Sequence, residues 1–229
     1  MRCLTHHRFD SRVWTGLEHM TGFTKLLPLV RGAKADDEQQ AHVLDAALLA
    51  FLDFGIKRTS MVEVARRCGL SLATLYRRFA GKSDLIQAVA LRQTREFIDE
   101  VDGVLQRQVD LDAGAEEQII ELFAAFINGL RDNKLVHRLL STEPELVLPY
   151  LTTRGAPIIE LGRDYLTEFV TRLQREGKLP AYDPEPLAEM IARTAVSLAL
   201  TPQTVIPLGD DDAIRRFARD HVVVSFRVS

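Results

Sequence analysis

From Gln40 onward the apolar positions fall into a helical rhythm: Leu44, Ala47, Leu48 and Phe51 keep the i, i+3, i+4, i+7 spacing that gives a helix one buried face. Gly55 is placed to end it. Ser60-Met61-Val62-Glu63 then reads as a capping box, the Ser60 hydroxyl covering an orphan amide and Glu63 reaching back, and predicts a second, short helix that Gly69 terminates. Ser71 predicts the cap of a third helix, with Leu75 and Phe79 on one face. After a break at Gly81, Ser83-Asp84 starts a fourth helix, with Asp84 at the positive end of its dipole. Its apolar positions continue through Ile86, Val89, Phe97, Val101 and Leu105, far enough to join two modules.

The second half keeps the same period. Ile119, Leu122, Phe123, Phe126, Ile127 and Leu130 form one stripe, and Ile159, Leu166, Phe169, Val170 and Leu173 a second that stops at Gly177. A third runs through Leu187, Met190, Ile191, Thr194 and Leu198. The segment from Ala213 to Phe226 carries both a strand-like Val222-Val223-Val224 run and helical spacing at Ile214, Phe217, Ala218 and His221. It is assigned to helix because a lone strand in an all-α chain has no partner. Joints rich in Pro, Gly and Asp are expected at 143–149, 177–186 and 201–212. Residues 1–37 show no period and are expected to be a disordered or irregular tail, with Met20 as a candidate true start. The expected fold class is therefore all-α, with a tail over 1–37, a small domain over 38–82 and a larger helical domain over 83–229 entered through the helix from 83.

Charge divides the chain unevenly. Residues 40–95 hold nine Lys and Arg against four Asp and Glu, while residues 96–229 hold fourteen against twenty-three, so a basic module precedes an acidic one. A polyanion partner suits the first and not the second. Two cysteines, Cys3 and Cys68, sit in no C-x-x-C or Cys/His cluster, which argues for a reducing cytoplasm and against a disulfide scaffold or zinc site; no metal and no cofactor are expected. Apolar runs fall far short of the ~20 residues that span a bilayer, so no membrane segment is expected. The chain contains no glycine-rich phosphate loop, no G-x-S-x-G and no H-E-x-x-H, so nothing supports an enzyme.

Two short helices joined by Cys68-Gly69-Leu70-Ser71 inside a three-helix basic unit meet the requirements of a helix-turn-helix. Small Val64 and Ala65 admit Leu70, Leu75 and Phe79, leaving Ser71, Leu72, Ala73, Thr74, Tyr76 and Arg77 to face outward. Residues 40–90, above all Thr59-Ser60-Met61-Val62-Glu63-Val64-Ala65, Gly69-Leu70-Ser71, Thr74-Leu75-Tyr76-Arg77-Arg78-Phe79 and Lys82-Ser83-Asp84-Leu85, resemble the DNA-binding domain of the tetracycline-repressor family.

The resemblance implies a transcriptional regulator, most often a repressor, that binds a near-palindromic double-stranded DNA operator as a homodimer and is released by a small effector. Carried over by position, it puts Ser71, Leu72, Ala73 and Arg77 near base edges and Thr59, Tyr76 and Lys82 on phosphates; Ser60 and Thr74 complete the candidate set. An Arg77 guanidinium can pair with guanine O6 and N7, and Leu72 or Ala73 can meet a thymine methyl. The family's C-terminal helical bundle binds effector and dimerises through its last long helices, here expected at 186–200 and 212–226, with Ala192, Ala195 and Ala199 allowing close approach. Phe123, Phe126, Ile127, Leu130, Phe169, Leu173 and Ile191 are the expected lining of an apolar effector pocket, with Tyr165 and Thr194 as hydrogen-bonding candidates. The lining carries almost no charge, which favours an apolar effector. A constitutive or architectural DNA-binding protein without effector is the alternative.

Overall fold

The computed structural model describes residues 26–32 and 36–227, and these divide into two units: residues 36–92, and residues 26–32 together with 93–227. Residues 1–25, with Cys3 and Met20, lie outside the described residues.

The first unit begins with α2, Glu38–Phe54, preceded in the chain by a short helix of the second unit, α1, Leu26–Gly32. The Asp37 carboxylate accepts from the Gln40 amide at 2.7 Å and caps α2, which buries Val43, Leu44, Ala46, Ala47, Ala50 and Phe51. Helices α3, Met61–Arg67, and α4, Leu72–Arg78, are each capped by a serine: Ser60 accepts from Glu63 N at 3.2 Å and Ser71 from Thr74 N at 3.1 Å. The capping box at Ser60 is only half formed, because the Glu63 carboxylate is taken by Arg66 and Arg67 instead of the cap amide. Helix α5, Lys82–Asp110, starts in this unit and continues into the second, and the Asp84 carboxylate accepts from Ala80 N at 3.1 Å just ahead of it.

Gly69 makes the α3–α4 turn. Its φ of 64° lies in the left-handed region, and the amides of Leu70 and Gly69 bond back to Ala65 O at 3.0 Å and Arg66 O at 3.3 Å. That pair of bonds is a Schellman motif, which satisfies the last carbonyls of α3 while reversing the chain.

The second unit contains α6, Ala115–Asp132; α7, Lys134–Thr142; α8, Pro144–Leu151; α9, Ala156–Arg175; α10, Glu185–Leu200; and α11, Asp211–Phe217. Helix α8 occupies the expected joint at 143–149, since Pro144 stands in its first turn, where a missing amide costs nothing. Helices α9 and α10 pack along each other, and Ala192 lies so close to Gly162 that a Cβ on the glycine would stand 3.0 Å from the alanine's. The small residues Ala188, Ala192 and Ala195 are thus consumed by packing within the chain.

Two departures from expectation concern the ends. Residues 26–32 form a helix, with Leu27 and Val30 buried against α9, although their sequence has no period long enough to announce one. Arg31 fixes it further: its guanidinium bonds Glu168, lies 3.5 Å from Asp102 and sits 5.5 Å over the Tyr165 ring. Each buried aliphatic side chain is worth about 1.5–3 kcal/mol, and each half-exposed ion pair at most about 1 kcal/mol. At the other end, α11 gives way to a π-turn, Ala218–Val222, and a 3₁₀ turn, Val223–Phe226. The segment is helical but changes winding at Ala218 and again at Val223, within the β-branched run, and Ala218, Val223 and Phe226 are buried.

That C-terminal segment packs on α6 of its own chain. Ile214 is fully buried with Ala124 and Ile127, and Phe217 stacks obliquely on Phe123 at 6.0 Å, so these two apolar side chains of the segment expected to dimerise at 212–226 face α6 of their own chain. Ile214→Asp is accordingly expected to lower unfolding stability by on the order of 4 kcal/mol, through a buried unpaired charge. Urea denaturation checks it alongside sedimentation; a fully stable monomeric variant would return this helix to an intermolecular interface.

Candidate nucleic-acid interface

Helix α4 owes its outward face to what the other face buries. Leu75 is fully buried and Phe79 nearly so, and on a helix this leaves Leu72, Ala73, Tyr76 and Arg77 facing away from the core. Leu72 is 38% and Tyr76 49% exposed. Ser71 is also exposed, but its hydroxyl caps the helix and lies 2.8 Å from the Thr74 hydroxyl, leaving both groups partly occupied. Ser60 is exposed at the start of α3, with its oxygen already engaged as a cap.

The basic residues separate into bound and available. Arg67 pairs with Asp53 at 2.7 Å and with Glu63 at 2.8 Å, and lies 5.1 Å over the Phe54 ring; Arg66 also holds Glu63. These hydrogen bonds, from Arg66 first and then Arg67, bring the Glu63 carboxyl down to about 2. Arg92 bonds the Ala41 carbonyl at 3.0 Å and pairs with Asp45, and Arg58 bonds the Phe54 carbonyl at 2.9 Å. Arg78 reaches Asp37 at 3.0 Å, tying the end of α4 to the cap of α2. Arg77 makes no hydrogen bond or ion pair with the described residues and is exposed. Of two adjacent arginines that sequence alone barely distinguishes, one is structural and the other projects from the surface beside Leu72 and Tyr76.

Two candidates differ from expectation. Thr59 is 2% exposed, and its hydroxyl lies 2.7 Å from the Gly55 carbonyl and 3.0 Å from that of Ala50. It fastens the turn after α2 and has no path to a phosphate. Lys82 is half-buried at the start of α5 and donates from Nζ to the Lys57 carbonyl at 3.0 Å, so its ammonium is held at the unit's surface by backbone. Nothing in the local sequence reveals the Lys57 contact, which joins residues 25 positions apart.

The candidates of the second unit differ in burial. Leu173, Phe169, Ile127 and Tyr165 are core residues; Arg172 covers the Phe169 ring at 5.4 Å, and the Tyr165 hydroxyl donates to Asp102 at 2.8 Å. Burial, followed by that bond, raises the Tyr165 hydroxyl above its ordinary pKa. Thr194 is exposed and its hydroxyl is turned onto the Met190 carbonyl at 2.9 Å. Phe123, Phe126, Leu130 and Ile191 are half-buried. Phe126 meets Phe97 edge to face at 5.4 Å, and a Cβ on Gly129 would stand only 2.3 Å from the Phe97 ring, so that glycine makes room for it. A crevice of about 550 Å³ lies elsewhere, bordered by Leu151, Ile159, Arg193, Val196 and Leu200, and includes none of the nine candidates. Among the described residues no His, Cys, Asp and Glu group is placed to hold a metal, and no helix is long and apolar enough to cross a membrane.

Comparison with known proteins bears on both units. Residues 43–89 match the family model for bacterial regulatory proteins of the tetR family, and residues 112–219 match that for the bacterial tetracyclin repressor C-terminal domain. The transcriptional regulator AlkX of Mycobacterium tuberculosis is 28% identical over 189 residues, covering 80% of this chain and 85% of that protein. The crystal structure of the repressor AlkX from Dietzia, implicated in biodegradation of n-alkanes, superposes with a TM-score of 0.54 at 22% identity, over 84% of this chain and 96% of that one. A complex of SmeT, the efflux-pump repressor of Stenotrophomonas maltophilia, with triclosan gives a TM-score of 0.56 at 20% identity, over 84% and 93% of the two chains.

The unequal roles of Thr59, Arg77 and Arg78 separate in experiment. Thr59→Val removes the one buried hydroxyl proton shared between the Gly55 and Ala50 carbonyls and is expected to cost about 1–3 kcal/mol of stability, while operator affinity of the folded protein stays unchanged. Thermal denaturation and DNA titration read the two effects, and a pure affinity loss would restore a phosphate contact. Arg77→Ala is expected to relax discrimination at one base pair of each half-site by about 1–3 kcal/mol, whereas Arg78→Ala lowers affinity for all sequences alike. Equal losses on matched and mismatched DNA for the Arg77 variant would make it a backbone contact.

Proposed function

The chain belongs to the tetracycline-repressor family of bacterial regulatory proteins and is a DNA-binding transcriptional regulator rather than an enzyme; we propose that it acts as an effector-released repressor, homodimeric on a near-palindromic operator in the cytoplasm. The observation that carries the DNA-reading role is α4, where exposed Leu72, Ala73 and Tyr76 stand beside an arginine with no partner among the described residues. Leu72 and Ala73 supply methyl contacts to thymine, Arg77 a bidentate donor to guanine, and Tyr76 a phosphate or sugar contact. Lys82 contributes positive potential near the phosphates even while its ammonium holds the Lys57 carbonyl.

Dimerisation is assigned to the outer faces of α9 and α10, the last long helices, where Ile158 and Met190 are exposed, 38% and 55% respectively. The C-terminal turns pack by their buried face on α6.

The effector is an apolar molecule taken up beside α6, at the half-buried Phe123, Phe126 and Leu130, with Phe97 moving off Gly129 to admit it. The reading is supported by the absence of charge at these positions and by the apolar compounds that related regulators are connected with, n-alkanes for the Dietzia protein and triclosan for SmeT. Ligand binding shifts the protein only as far as it prefers one conformation, so the movement of Phe97 is the differential contact that the mechanism requires.

Operator affinity is expected to fall steeply with salt, as contacts from two subunits release counterions. In a panel of n-alkanes, fatty acids, phenolic biocides and phosphorylated metabolites, only the apolar members should release operator, and Leu130→Trp should abolish release while leaving affinity nearly intact. Fluorescence anisotropy on labelled operator measures both. Release by phosphorylated compounds alone would exclude the apolar site, and release by none would favour the constitutive regulator.

A further inference from the structure

Among the described residues the chain passes between the two units twice. Helix α5 is one passage; the other is the short stretch from α1, which belongs to the second unit, to Asp37, which caps the first helix of the DNA-reading unit. α1 is docked and not merely adjacent: Leu27 and Val30 are each 1% exposed, and Arg31 joins Glu168, Asp102 and the Tyr165 ring. Asp37 is fixed in its turn, holding the Gln40 amide and Arg78 at the end of α4. Five residue steps separate Gly32 from Asp37, which limits their separation to about 16–18 Å however the chain is arranged.

We propose that α1 is a strap: docked on α9 through Leu27, Val30 and Arg31, it limits the excursion of the DNA-reading unit and thereby narrows the range of operator geometries the protein accepts. A single helical connection leaves a unit free to swing about one hinge, whereas two connections at different points remove part of that freedom. Because α1 has seven residues and buries only two large side chains, it can detach without unfolding the bundle it docks on. The strap is distinct from the base contacts of α4, and only its operator arm rests on the regulator reading above.

The test uses the full chain with Val30→Asp and, separately, Arg31→Ala. Hydrogen exchange first reports whether residues 26–32 lose protection; continued full protection in Val30→Asp would overturn the docking as described. Fluorophores at Leu49→Cys and Leu111→Cys, exposed positions in the first and second units, then give the distance distribution between units by single-molecule energy transfer. The background is Cys3→Ser, Cys68→Ala, diluted with unlabelled protein. The distribution should broaden in Val30→Asp, and less in Arg31→Ala; an unchanged distribution in a variant whose helix has detached would overturn the strap. On operators lengthened by one base pair between half-sites, the wild-type preference for the natural spacing should fall by about five-fold or more in Val30→Asp, the size of a typical coupling factor. Unchanged spacing preference beside a broadened distribution would overturn the effect on operator choice, and failure of every protein to bind DNA would overturn the regulator reading while leaving the distance measurement to decide the strap.

Discussion

A seven-residue helix does not persist alone in water, because nucleation fixes several residues before the first hydrogen bonds repay it. Helix α4 has that length, and every feature that would let it read DNA depends on its being held formed at a fixed angle. Three local devices hold it. The Ser71 oxygen caps its first turn, the Schellman bonds around Gly69 set its departure from α3, and buried Leu75 and Phe79 anchor its inner face. Arg78 adds a fourth constraint at the far end, through Asp37. The outward residues therefore need no role in folding, and their identity is free to follow the sequence they recognise.

The same locality explains which features sequence reveals. Serine caps, a left-handed glycine and stripes at helical spacing are decided within a few residues, so α2 to α6, α9 and α10 could be placed from pattern alone. Helix α1 could not: Leu-Leu-Pro-Leu-Val-Arg-Gly has no intrinsic claim to helix, and its partners lie on α5 and α9, 71 and 137 residues away for Asp102 and Glu168. Thr59 differs for a related reason. The resemblance puts it on a phosphate by position, whereas the folded turn buries its hydroxyl against the Gly55 and Ala50 carbonyls. Sequence favours Arg77 over Arg78 only by its place on the helix, and the Arg78–Asp37 pair adds a physical reason for the difference.

In the second unit, aromatic and branched residues at helical spacing serve a core and a pocket equally well, so their pattern does not distinguish the two. Burial does. Leu173, Phe169 and Ile127 are enclosed by packing, while Phe123, Phe126 and Leu130 keep an open side. Gly129 marks the boundary between these roles: a glycine inside a helix costs about 1 kcal/mol relative to alanine, and here it is the seat of the Phe97 ring. The small residues of α10 carry a similar lesson, since Ala192 meets Gly162 of the neighbouring helix in the same chain and not a second subunit.

Cys68 closes the helix-turn-helix from within. It is 6% exposed, with its sulfur 3.6 Å from the Ala65 carbonyl, directly before the glycine that turns the chain. A thiol so enclosed meets peroxide or an alkylating reagent only when the turn itself opens. The rate at which Cys68 becomes modified is therefore a clock for the opening of the turn at Gly69.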